Sequence, residues 1–174
     1  MKNVPYYTAA VIIFIILKFW FSDADNNGLI FLLFPTDKLT GIMTGSASVF
    51  IYDTGFYHEK LNVIIDKSCS GFNYLLLCFL LFVYLLIKHI DKPLFKSLVI
   101  PASFIISYLI TILVNSSRIF ISIVIQNQTL RVLPNHQYLI HASIGTITYL
   151  TFLILTFCLT EYILNQRKKH EVII

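Results

Sequence analysis

Three side chains in this sequence could carry nucleophilic chemistry together: Cys69 in "DKSCSGFNYLLL", Arg118 in "VNSSRIFISI" and His141 in "NHQYLIHASIGTITYL". A thiol that has lost its proton is a strong nucleophile at neutral pH. A histidine titrates close to neutrality and so moves such a proton. An arginine keeps its charge throughout and stabilises an anion formed where water is scarce. Each residue also has a plainer reading. A lone cysteine is usually a small hydrophobe, an arginine at a membrane edge snorkels to headgroups, and a histidine there is often only interfacial.

The surroundings separate these readings. Cys78 and Cys158 lie inside apolar runs, whereas Cys69 precedes one, with no second cysteine on its side for a disulfide. A helix beginning just after it would offer unpaired N–H groups and a positive dipole end, which favour a thiolate. Arg118 interrupts a run that continues to Ile125, and a charge in such a run costs about 2.5–3.5 kcal/mol at the bilayer centre, so it is as a rule paired or functional. His141 opens the last apolar run, and Gly145 one turn later admits close approach of another element. His136, five residues earlier, is the weaker histidine candidate.

The elements that must position these residues follow from composition. The chain is 57% hydrophobic and 13% charged, with a mean hydropathy of +0.77, against about 25% charged residues in an ordinary soluble domain. That composition excludes a soluble enzyme and predicts a bilayer protein, in one domain over residues 1–174. A span needs about 20 mainly apolar residues. Four stretches qualify: Val4 to Ser22, Gly71 to Lys88, Leu98 to Val114 with a continuation to Ile125, and Ala142 to Leu164. The first reads as an uncleaved span, since no small-x-small site follows "FWFSDADNN".

The expected fold is an all-α membrane bundle of about four helices, five or six if re-entrant segments are counted, with a small extracytoplasmic β-hairpin. "LIFLLFP" is too short to cross and reads as re-entrant or interfacial. "VFIYDTGFYHEKLNVII" reads as the hairpin, turning around Asp53, Thr54 and Gly55. A second outer segment is expected over about 115–140, with Pro134 and Asn135 as turn formers.

Basic residues flank the cytoplasmic side of spans, and Lys88, Lys92 and Lys96 in one link and Arg167, Lys168 and Lys169 in the tail put both termini inside. Six of the nine acids, Asp23, Asp25, Asp37, Asp53, Glu59 and Asp66, then fall outside, where Arg118 and Arg131 also lie. The net charge of +4 is explained by that topology, and nucleic acid is not an expected partner. Counting 20 residues from Leu98 carries Arg118 about 30 Å along a helix, to the level of Cys69 and His141 at the outer boundary.

The ordered set "SCSG" with Cys69, "NSSR" with Asn115 and Arg118, and "HASIG" with His141 and Gly145 resembles the motifs of the exosortase/archaeosortase family, integral-membrane sorting transpeptidases, most closely the small exosortase K type. The likeness covers about residues 49–157; family members often carry more than four spans. It implies Cys69, Arg118 and His141 as catalytic residues, with Ser70, Gly71, Asn115, Gly145 and His136 in supporting or substrate-binding positions, and no cofactor or metal. It implies a cytoplasmic (inner) membrane location with the site on the extracytoplasmic face. The implied substrates are secreted proteins ending in a short motif, a transmembrane helix and a basic tail, and the implied acceptor is a lipid or surface glycan.

Other classes stay open on the residues alone. A membrane-boundary cysteine protease would hydrolyse with the same three residues, and Ser70 could serve a serine protease. A metal site from Cys69, His136 and His141 matches no strong zinc spacing. A thiol oxidoreductase would need paired cysteines. A scaffold or transporter subunit would use Arg118 structurally. Phe72, Tyr74, Ile119 and Ile144 are the residues expected to wall the site.

Overall fold

The computed structural model describes residues 3–90, 93–129 and 137–173, and of these the side chains of 93, 94, 126–129, 137–141 and 167–173 are not described. Lys92, Arg131, Pro134, Asn135 and His136 therefore lie outside the described residues. Five helices carry the chain: α1 (Val4–Asp23), α2 (Ile30–Thr44), α3 (Phe72–His89), α4 (Pro93–Thr129) and α5 (Gln137–Ile173). Between α2 and α3 stand three short strands, β1 (Val49–Ile51), β2 (Gly55–His58) and β3 (Val63–Ile65). The regions of α1, α3, α4 and α5 are long and apolar enough to cross a membrane. Their outward residues agree with a lipid surround, since Phe19 is 73% exposed and Ile147 65%.

Helix α3 is the enclosed centre. Leu75, Leu76, Cys78, Phe79, Leu85 and Ile87 are all at 1% exposure or less, on several faces of one helix. Its most extensive neighbour is α4, with α1 and α5 flanking it. Ser103, Ser107 and Thr111 form a fully buried stripe at four-residue spacing along α4, the small-residue pattern that lets membrane helices approach closely. Asn115 extends that stripe by one more turn and is also fully buried.

Polar contacts define two ends of the bundle. Lys88 pairs with Glu161 at 3.2 Å, His89 Nε2 meets Asn165 Oδ1 at 3.3 Å and Lys96 donates to Asn3 at 2.5 Å, all at one end. Ser22, Cys69, Asn115 and Tyr149 are joined to neighbouring elements at the other.

Two expectations are corrected. The β element is a three-stranded antiparallel meander in the order β1–β2–β3, not a hairpin, with Phe50 opposite Phe56 and Phe56 opposite Ile65. The turn falls where expected, with Asp53 at φ 64° and Thr54 N–H donating to Ile51 O at 3.1 Å. A second turn at Asn62, φ 50°, returns the third strand toward Cys69. The other correction concerns the second outer segment: α4 runs through the expected continuation at Ile125 to Thr129, so the first four residues of "QNQTLRVLPNHQY" are helix and not loop.

Helix α2 extends the "LIFLLFP" segment through Pro35 to Thr44, a run of 15 residues. It buries Leu32, Leu33, Thr36, Asp37 and Thr40, and Ser116 of α4 donates to Thr36 O at 3.3 Å. The sheet is tied to α2 by a buried polar knot. His58 Nε2 is 2.9 Å from Asp37 Oδ1, and both residues are only 1% exposed. Ser48 donates to Asp37 Oδ2 at 2.8 Å, and Ser46 Oγ lies 3.2 Å from His58 Nδ1.

Candidate active site

Cys69 closes a single turn of 3₁₀ helix, Lys67–Cys69, that β3 feeds. Asp66 caps the turn: its Oδ1 accepts from Ser68 N at 3.0 Å and from Ser68 Oγ at 2.6 Å. Since the Ser68 hydroxyl proton points to Asp66, its lone pairs face elsewhere, and Cys69 Sγ is 3.8 Å from that oxygen. The thiol is half-buried. Cys69 thus sits three residues before α3, not in its first turn, and Cys69 N–H donates to Asp66 O at 2.9 Å. The first α3 N–H, of Phe72, bonds to Ser70 Oγ at 3.4 Å, and Ser70 is only 1% exposed.

Gly71 makes this junction possible. Its φ of +71° is a conformation that side chains rarely adopt, and an added Cβ would stand 2.9 Å from Asn115 Cγ. Asn115 occupies the space that the missing side chain leaves. It donates from Nδ2 to Cys69 O at 2.5 Å and accepts at Oδ1 from Tyr149 Oη at 2.6 Å. Three elements are joined in this way: the Cys69 turn, α4 and α5.

Tyr149 has a second contact. Its ring lies under the Arg118 guanidinium, 5.2 Å from Cζ to the ring centroid, and stacks on Tyr74 at 4.8 Å. Arg118 is one turn beyond Asn115 on α4 and 8% exposed. An added Cβ at Gly145 would fall 3.2 Å from Arg118 Nη1, so the glycine's close approach serves this guanidinium. Nε and Nη2 of Arg118 are buried and have no hydrogen-bond partner among the described residues. Leaving buried charged donors unpaired costs more than the about 1–3 kcal/mol of a neutral group, and these two donors are chemically suited to an anion.

Of the residues singled out from sequence, Cys69, Ser70, Gly71, Asn115, Arg118 and Gly145 are therefore in one connected neighbourhood. His141 belongs to α5 one turn before Gly145, but its side chain, like all of His136, is outside the description. Among the expected wall residues, Phe72 and Tyr74 line the cavity beside Cys69, whereas Ile119 packs into the hydrophobic core with Leu29 and Leu32. That cavity measures about 460 Å³ and is also bounded by Phe21, Lys67 and Tyr149. Tyr149 and the Asp66–Ser68 pair were not legible as site residues. A tyrosine in an apolar helix carries no mark, although an Asp-x-Ser before a helix is a turn signal that could have drawn attention to Ser68.

No group of three or more histidine, cysteine or acidic side chains suited to a metal occurs among the described residues. No family model matches the chain, and no curated protein or solved structure matches it.

Proposed function

We propose that this chain is a membrane-embedded cysteine transpeptidase that cleaves a C-terminal sorting signal and passes the new C-terminus, through a thioester on Cys69, to a lipid or surface acceptor. The observation that carries this reading is the buried Arg118 guanidinium with two N–H-bearing nitrogens unpaired, joined through Tyr149 and Asn115 to the half-buried Cys69 turn. The order of Cys, Arg and His motifs adds the family resemblance.

In the first step the Cys69 thiolate attacks the scissile carbonyl carbon. The carbonyl oxygen becomes an oxyanion, and Arg118 supplies charged donors that need no reorganisation to receive it. The C–N bond then breaks, the amine leaves with a proton, and the acyl group remains on sulfur. In the second step an acceptor amine attacks the thioester carbonyl and gives up a proton to His141, the C–S bond breaks and the Cys69 thiolate departs. His141 is the proposed carrier of the thiol proton to the leaving amine. The Asn115 bond to Cys69 O holds the attacking residue's backbone in register, the kind of fixed geometry that converts binding into rate. Burial of the Ser70 hydroxyl against α3 favours Cys69 over Ser70 as nucleophile.

The test is intact-mass measurement of the purified protein with a secreted substrate carrying a C-terminal motif, a transmembrane helix and a basic tail. Without lipids an adduct should accumulate on Cys69, and native lipids should convert it into a product heavier than the cleavage fragment. A product bearing only a free carboxylate in native membranes would make the chain a protease. No adduct, with Cys69→Ala processing at the normal rate, would leave a scaffold or transporter subunit.

A further inference from the structure

Two lysines converge at the cavity that adjoins the Cys69 turn, and neither forms an ion pair among the described residues. Lys18 belongs to α1, five residues before its end, in a helix whose other charged residue is the terminal Asp23. Its ammonium reaches Asn73 Oδ1 at 2.6 Å, and Asn73 lines the cavity. Lys67 also lines the cavity and donates to Ser22 O at 2.9 Å. Both ammonium groups lie over the Phe21 ring, at 5.7 Å and 5.1 Å from its centroid. Phe21 stacks flat on Phe72 at 4.6 Å, which leaves its opposite face for the lysines.

The polar partners of the two lysines are neutral, and neither lysine is within ion-pair distance of a carboxylate among the described residues. The acid on the cavity wall, Asp66, keeps its charge but directs Oδ1 to Ser68 and forms no ion pair with either lysine. Two ammonium groups over one ring concentrate positive potential there, and an anion beside them would be attracted to it. A lysine in an apolar span is likewise retained for a reason. We propose that Lys18 and Lys67 form an anion subsite at the cavity that adjoins the Cys69 turn, and that its ligand is the phosphate of a membrane-lipid headgroup.

Phosphate fits better than a carboxylate because it offers more oxygens and charge to two separate ammonium groups, each acting as a point charge. A lipid source fits because aromatic rings form part of the cavity wall and the neighbouring surface is apolar, with Phe19 73% and Leu77 49% exposed. Placing a lipid-borne nucleophile next to a Cys69 thioester rests on the transpeptidase reading; the subsite itself does not.

Trp20, the one tryptophan in the sequence, packs on Phe72 at 5.8 Å and reports on the site by fluorescence. The experiment titrates the full-length protein, in neutral maltoside micelles, with short-chain phosphatidic acid, the matched diacylglycerol and inorganic phosphate. Phosphatidic acid should give a saturable change that diacylglycerol does not. K18Q/K67Q should move its midpoint by about tenfold or more, K18R/K67R should restore it, and the single variants K18Q and K67Q should give the same ordering should the double variant not fold. Cys69→Ala should bind unchanged, so the subsite and the covalent chemistry fail independently. An equal response to diacylglycerol, or an unmoved midpoint in every glutamine variant, overturns the subsite. Inorganic phosphate saturating as tightly as the lipid overturns the lipid assignment.

Discussion

Two buried polar clusters lie on the same half of this molecule, and they differ in how completely their atoms are used. In the Asp37–His58 cluster both carboxylate oxygens and both ring nitrogens have partners, supplied by Ser46, Ser48 and each other. In the Arg118 cluster two guanidinium nitrogens have none. A closed set of hydrogen bonds fastens one element to another, here the sheet to α2. An open set leaves donors for something that arrives later. Burial alone would not have separated them, since His58 and Arg118 are both below a tenth exposed.

The sharpest way to break this contrast is Cys69→Ala, which should abolish processing of a co-expressed substrate while thermal unfolding stays within a degree or so of the parent. Retained processing would remove the chemistry from the open cluster altogether. Next in size are Asp37→Ala and His58→Ala. Each strands one partner of a buried pair and should lower stability by about 3–5 kcal/mol, measured by denaturant or thermal unfolding in detergent. Activity per folded molecule should survive. A loss of turnover without a loss of stability would move this cluster into the site.

Arg118→Ala should do the reverse: a 10²–10³-fold slower acylation, about 2.7–4 kcal/mol in the barrier, with stability unchanged or improved because an unpaired charge has gone. A fall in stability comparable to that of His58→Ala would mark Arg118 as structural. The smallest effect is expected for Tyr149→Phe, which keeps the ring under Arg118 and removes the bond to Asn115. It should cost about 0.5–1.5 kcal/mol, read as a several-fold drop in the rate of Cys69 acylation, whereas Tyr149→Leu, which also removes the ring, should lose more.

Much of this was legible in the sequence because lipid imposes one rule on every span. Val4 to Ser22 against α1, and the start of α3 near Gly71, agree to within a residue or two. The turn at Asp53–Gly55 was legible from its chemistry. Helix α2 was not: Pro35 and the polar residues Thr36, Asp37 and Thr40 read as the end of an apolar piece, yet they continue the helix because their side chains face protein and not water. Asn115 and Arg118 were readable as anomalies in an apolar run. Tyr149 was not, because its importance comes only from what two other helices bring to it. His58 was not legible for the same reason, since its partner Asp37 stands 21 residues away, just beyond the segment read as re-entrant or interfacial.

The bond from Asn115 to Cys69 O also sets a clock. Its two ends are 46 residues apart, and a ribosome adding about 5–20 residues per second needs roughly 2–10 s to cover that gap. Tyr149 follows a further 34 residues later. During synthesis the thiol turn therefore emerges well before the helices that hold it, and the arginine's cradle is completed only when the last helix enters. If Cys69 is the nucleophile proposed above, a nascent chain carries it exposed but unarmed, and becomes competent only once the whole bundle has closed around it.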